Sequence, residues 1–261
     1  MTGELSRRVL LRGIGHAAAF GALASALPKF AGAAEGEAAY SLSMTYQYDR
    51  KNKFKADRFR DAHLPLLKSI YGDSVERLEL RYTEPPPSTA KVPIPPSFVV
   101  AAVSIWIRDV VTFGKRTAEA RDQIVADLQK VTEGHPFVQY DKTLAGLGSA
   151  RADVAVGSTC QSLYFLDKEG VHFDAKYYVD TFIPKLMEAF GPKALRRVEV
   201  CQGAAGQGGA KPVAMATTHM YVADQAAFFA ASRNAMELAP ERTKFTDILP
   251  TSAFLTVHAV G

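Results

Sequence analysis

The residues best suited to chemistry in this chain are two glutamates, three histidines and a group of aromatics on strand-like segments. Glu79 lies in Arg77-Leu78-Glu79-Leu80-Arg81 and Glu199 in Arg197-Val198-Glu199-Val200. Side chains alternate between the two faces of a strand, so in each segment arginine and glutamate share one face and aliphatic residues the other. Two readings are open for the glutamates: ion pairs joining two parts of the fold, or a buried carboxylate whose altered pKa lets it act on a substrate. His219 shares a face with Thr217 and Tyr221, Thr256 and His258 lie on the last strand, and Tyr164 can join the same cavity. His63, within Phe59-Arg60-Asp61-Ala62-His63-Leu64-Pro65-Leu66, is either a structural group or an acid/base or ligand-orienting one, since imidazole titrates near working pH. Tyr46, Tyr48 and Trp106 read as core or as pocket wall. Two histidines on separate strands without a third ligand do not make a metal site, and no cofactor is called for. The glycine-rich run 203–209 lies between two strands rather than before a helix, so it lacks phosphate-binding geometry.

The elements that position these residues occur twice. Phe54-Lys55-Ala56 matches Phe173-Asp174-Ala175, and at the same spacing Asp61 matches Asp180, Pro65 matches Pro184 and Gly72 matches Gly191. Further on, Arg77 to Leu80 matches Arg197 to Val200, and Asp109 to Phe113 matches Asp224 to Phe228. Matches in the same order through both halves indicate a duplication. Each copy reads β-α-β-β-α-β. The first has strands at 42–48, 75–82 and 98–107, a helix over 54–71 stopped by Gly72, a second helix striped by Phe113, Ile124 and Val131, and a closing strand at 153–156. Its hairpin loop, 85–96, holds six prolines and cannot be a central strand. The second copy has strands at 160–166, 195–201, 213–222 and 253–259, with helices at 173–190 and 224–238. Such units fold as ferredoxin-like sheets with both helices on one face. Two copies cover each other's open face by packing sheet to sheet, an α+β fold of pseudo-dimeric barrel type. The repeats are expected at 41–157 and 158–261, after a linker at 34–40. Proline inside a helix costs about 3 kcal/mol, and here both copies keep it, so a bend is expected at Pro65 and at Pro184.

The helix following a short strand with His63-Leu64-Pro65-Leu66 at its middle resembles the EthD family of dimeric α+β barrels. The second copy keeps Pro184 but has Phe182 where His63 stands, so it resembles a degenerate EthD module. The resemblance implies a protein that binds or acts on a small hydrophobic or aromatic molecule, by acid/base chemistry without a cofactor. A non-catalytic binding or accessory role and a haem-binding barrel are the alternatives. The Gly-x-x-Asp-Gly motif of dye-decolourising peroxidases, which share this tandem plan, is absent. A homodimer is left open.

Residues 1–33 read as an export signal. Ser6-Arg7-Arg8-Val9-Leu10-Leu11-Arg12 resembles the twin-arginine consensus, a weakly apolar stretch follows, and Ala31-Gly32-Ala33 offers a small-x-small cleavage site. The expected location is the periplasm, without stable membrane insertion once the signal is removed. The leader carries four of the 31 basic residues and one of the 27 acidic ones, so the formal +4 falls to +1 in the remainder. That balance calls for no nucleic-acid partner. Cys160 and Cys201 are expected at opposite ends of strands separated by a third, too far apart for a disulfide.

Overall fold

The computed structural model describes residues 37–48, 53–83 and 99–261. The leader and the proline-rich loop lie outside the described residues. Eight strands, β1 (Tyr40–Gln47), β2 (Val75–Tyr82), β3 (Val99–Ile107), β4 (Phe137–Gly148), β5 (Thr159–Leu166), β6 (Leu195–Gly206), β7 (Ala214–Val222) and β8 (Thr251–Val260), close into one barrel in the order β1-β3-β2-β8-β5-β7-β6-β4. Neighbours are antiparallel throughout. The half-barrels β4-β1-β3-β2 and β8-β5-β7-β6 share one strand order, that of a ferredoxin-like sheet. They face each other across the lumen as expected, and their edges also pair, β2 with β8 and β4 with β6. Closure leaves no edge unpaired among the described strands.

Each half begins its helical layer in the same way. Helix α1 (56–71) runs as Ala56–Arg58, a widened turn at Phe59–His63, then Leu64–Tyr71. The helix of the second half, α4 (175–190), repeats this as Ala175–Tyr177, Tyr178–Phe182 and Ile183–Phe190. The Leu64 amide donates to the Phe59 carbonyl and the Ile183 amide to that of Tyr178, five residues back. The sequence alone suggests a proline bend at these points. The chain instead takes a π-type turn immediately before each proline, where a ring without an N–H would otherwise meet the carbonyl four residues back. Gly72 ends α1 at a φ of 49°, a left-handed conformation that suits glycine.

The second helix of the first half divides at Ala120 into α2 (Val110–Glu119) and α3 (Arg121–Val131); its counterpart is α5 (Gln225–Met236). Asp109 and Asp224, matched by the duplication, cap α2 and α5 by accepting backbone amides. The helices enclose two apolar layers outside the barrel wall. Phe59, Leu67, Leu78, Leu80, Val103 and Phe113 form one, and Tyr178, Ile183, Val198, Val200, Phe228 and Phe245 the other. Each such buried side chain contributes roughly 1.5–3 kcal/mol.

One strand departs from expectation. The closing strand of the first half is β4, not 153–156, which starts at the end of a single helical turn at Arg151–Asp153 and forms no strand. The inward row of β4, Gln139, Asp141 and Thr143, is polar, so the strand lacks an apolar signature. β6 continues past the expected end at 201 because β4 pairs with it as far as Gly206. A Cβ on Gly203 would lie 2.2 Å from the Ala214 carbonyl oxygen, so only glycine lets β6 run this close to β7.

Candidate functional site

The lumen is polar at one end and hollow at the other. At the closed end Arg151, fully buried, donates to Glu199 at 2.9 Å and to Glu76 at 2.9 Å. Arg197 donates to Glu37 at 2.6 Å and to Glu199 at 2.9 Å. Arg77 donates to Glu79 at 2.8 Å and to the Val154 carbonyl at 2.6 Å. The two arginines hold Glu199 below the usual carboxylate range, against the opposing effect of burial. Both sequence-derived glutamates thus lie in the lumen, ion-paired, with Arg151 of the first half reaching Glu199 of the second. Trp106 and Tyr221 sit among them; Trp106 donates to Glu199 and Tyr221 to Glu79.

Half-way along, Arg81 spans the lumen from β2. Its Nη1 lies 2.6 Å from His219 Nδ1 on β7 and 3.4 Å from Ser162 Oγ on β5, and its Nη2 donates to Ser104 Oγ on β3. A guanidinium can only donate, so His219 Nδ1 accepts and the ring proton belongs on Nε2. Burial, with Arg81 and Arg151 nearby, holds the His219 pKa well below its ordinary value, so the ring is neutral at working pH. Beside this group, Asp141 of β4 accepts from Ser43 Oγ and from Gln139 Nε2, each at 2.5 Å. Burial pushes its carboxyl up to about 7, against the pull of Ser43, Gln139 and Arg81.

Beyond this floor lies a cavity of about 110 Å³ at the end of the barrel formed by the C-termini of β1, β2 and β5 and the N-termini of β3, β4, β7 and β8. Its floor is Arg81, Ser104, His219, Gln139 and Ser43; its walls include Val99, Ala102, Tyr164, Leu166, Val213 and Phe137. An apolar pocket with a few convergent polar groups is the usual form of a small-molecule site.

Of the residues singled out from the sequence, His219 and Tyr164 line this cavity, while Glu79, Glu199, Trp106 and Tyr221 form the packed lumen behind it. Four lie elsewhere. His63 is 1 % exposed, between helices, with Nδ1 3.0 Å from Asp127 of α3 and its ring 5.1 Å from Phe59. The matched Phe182 likewise packs in the helical layer, 4.7 Å from Phe245. Tyr46 packs 4.8 Å from Phe54 in the outer layer, because Ser43 and Thr45 take the lumen side of β1. Tyr48 follows the end of β1 and is not among the cavity-lining residues. His258 points outward, 3.2 Å from Asp57 and 3.4 Å from Arg60. On β8 the apolar row Ala253, Leu255 and Val257 faces inward, which reverses the polarity of β2, β6 and β7.

Arg81, Asp141, Gln139 and Ser162 were not singled out as site residues from the sequence. Arg81 carries a readable signal, an arginine on the Glu79 face where the second half has Cys201. Among the described residues, no three His, Cys, Asp or Glu side chains are grouped to hold a metal ion. No described helix is long and apolar enough to cross a membrane.

Closed strand order and lumen together define a single-chain α+β barrel built from two ferredoxin-like halves. The chain is similar to an EthD-like protein of Ralstonia eutropha JMP134 at 26% identity, over 38% of this chain and 91% of that one, with a TM-score of 0.36. It shares its fold with an anthrone oxidase-like protein (12% identity, 87% of this chain and 94% of that one, TM-score 0.50). The same holds for a candidate monooxygenase of Fusobacterium nucleatum subsp. nucleatum (9% identity, 85% and 92%, TM-score 0.52). No family model and no curated protein matches the chain.

Proposed function

We propose that this protein takes a small, largely apolar molecule into the open end of its barrel and acts on it by acid–base chemistry with its own side chains. One observation carries the reading: a mostly apolar cavity ends on a floor where His219 and Ser43 meet it and Asp141 stands one hydrogen bond behind Ser43. A carboxyl titrating near 7 can give or take a proton at working pH, and the Ser43 hydroxyl links it to a bound molecule. His219, neutral and with its proton on Nε2, supplies a donor without a competing charge. The similarity to an anthrone oxidase-like protein and to a candidate monooxygenase agrees with action on a small molecule. The leader supports export to the periplasm, which fractionation of cells expressing the tagged full chain would test.

The test is a ligand-observed NMR screen of single-ring and two-ring compounds against the purified protein and a Leu166→Trp variant. Leu166 lies at the cavity mouth and is 44% exposed, so a larger ring there narrows the entrance without burdening the core. Binding lost in this variant supports the site, and turnover of a bound compound that Asp141→Asn abolishes supports catalysis. Binding without turnover would leave a carrier. Binding indifferent to Leu166→Trp would overturn the site.

A further inference from the structure

Resting on that reading, we propose that the cavity selects a small carboxylic acid with an apolar, ring-sized body, bound as its anion against Arg81. Arg81 is the single charged side chain among the described residues lining the cavity. Its charge is only loosely matched. The nearest carboxylate, Glu79, lies 3.4 Å from Arg81 Nε and is already held by Arg77 at 2.8 Å and by the Tyr221 hydroxyl at 2.9 Å. The other groups around the guanidinium, His219, Ser104, Ser162 and Cys160, are neutral. A cation so placed at the base of an apolar pocket favours a ligand that brings one negative charge to it.

The rest of the cavity fits the remainder of such a molecule. A cavity of roughly 150 Å³ encloses benzene. The space here is about 110 Å³ and opens at one end, so it holds one ring with its far edge at the mouth. Val99, Ala102, Leu166 and Val213 supply apolar contact, and Tyr164 and Phe137 supply ring faces. A neutral molecule of the same shape would bring no charge to the cavity-facing side of Arg81, whose nearest carboxylate is Glu79 at its Nε.

Asp141 makes the selection depend on pH. It interacts with Arg81, which draws its proton off, and with Glu199, which keeps it on; Cys201 on β6 also faces it, and Ser43 and Gln139 contact it directly. An anion on Arg81 cancels the first influence, so binding and protonation of Asp141 assist each other. As pH rises through about 7, Asp141 ionises and competes with the bound carboxylate for the same cation.

The experiment compares benzoate with benzamide, equal in shape and different in charge, by calorimetric titration of the wild-type protein and of Arg81→Met at pH 6 and pH 8. Benzoate is expected to bind at least tenfold tighter than benzamide at pH 6. Its affinity is expected to fall about tenfold by pH 8, as for an anion excluded by one ionising group, while benzamide stays constant. Arg81→Met should erase the preference and keep benzamide binding. Should that variant fail to fold, the wild-type pH profile and its flattening in Asp141→Asn carry the test. Equal affinity for the two probes, or a flat benzoate profile, would overturn the carboxylate assignment while leaving the small-molecule site standing. Failure of both probes together with failure of the neutral compounds of the screen would overturn the site itself.

Discussion

The indole N–H of Trp106, on the third strand of the first half, donates to Glu199 Oε1, on the second strand of the second half, at 2.6 Å. The reciprocal contact is made by Tyr221, whose hydroxyl donates to Glu79 at 2.9 Å. Each half thus fixes the other's buried glutamate, and Arg151 adds a third tie, stacking 4.9 Å from the Trp106 ring while it holds Glu199. The pseudo-symmetry that makes the lumen also staples it shut.

Replacing Glu199 by glutamine is therefore expected to cost about 1.5–3 kcal/mol, because Arg151 keeps Glu76 and Arg197 keeps Glu37 while each loses its charged hydrogen bond to Glu199. Trp106→Phe, which removes one donor from a glutamate that keeps its arginines, is expected to cost about 1–3 kcal/mol. Urea unfolding measures both. A Glu199→Gln variant with the wild-type midpoint would show that the ion network does not hold the barrel.

Asp141 has the opposite stability sign. Its carboxyl titrates near 7 when folded and at 3.8 in its unperturbed state, so the folded protein binds the extra proton between these values. Stability from this residue is intact below pH 3.8, declines as pH rises toward about 7, and is level above it. Asp141→Asn keeps an acceptor for Gln139 and offers its amide to Ser43, and it should be more stable than wild type at pH 8. The two should converge near pH 4. At about 1.4 kcal/mol per pKa unit the gain is a few kcal/mol at most. A variant less stable than wild type at pH 8 would mean that the carboxylate is bound more strongly than its burial allows.

The duplication was legible because apolar stripes, prolines and stop glycines recur in order, and the halves were readable from it. The lumen was legible where polar and aliphatic residues alternate, as around Glu79, Glu199 and His219. Parity separates two faces but does not say which one is inside. On β8 the small apolar row faces inward, so His258 was misplaced, and on β1 the hydroxyl row does, so Tyr46 is core, one of its two readings, and not pocket wall. The floor was the least legible part. Asp141 looks like a surface residue in sequence, Arg81 shares the Glu79 face without any sign of the strands opposite it, and only closure of the barrel brings β2, β4, β5 and β7 around them.

His63 tests this distinction. Among the described residues it contacts Asp127 and Phe59 rather than the cavity, and the second half places Phe182 at the same point. His63→Phe is expected to leave cavity binding unchanged, since Asp127 keeps Arg58 at 3.0 Å and Lys130 at 3.5 Å. Its effect belongs to acid stability. Burial holds the His63 pKa below 6.5 in spite of Asp127, so the unfolded chain takes up a proton first as pH falls. That contribution is present above 6.5 and is lost as pH drops toward the folded value. The variant should lose less stability than wild type between pH 6.5 and 5, read by thermal unfolding. Loss of ligand binding in His63→Phe would instead place it in the working site.

The cysteines give the last prediction. Cys160 on β5 and Cys201 on β6 flank β7 and pair there with Tyr221 and Thr217, four residues apart along the strand. At about 3.3 Å per residue this puts them well beyond the ~7 Å between Cα atoms that a disulfide spans. Both are free and buried, and burial pushes both thiols upward in pKa, away from the reactive thiolate. The folded protein is therefore expected to resist iodoacetamide at pH 8 and, once denatured without reductant, to take two alkyl groups by mass. One group would mean that a single thiol is already modified. None, with two appearing only after reduction, would require the strands flanking β7 to lie in a different order.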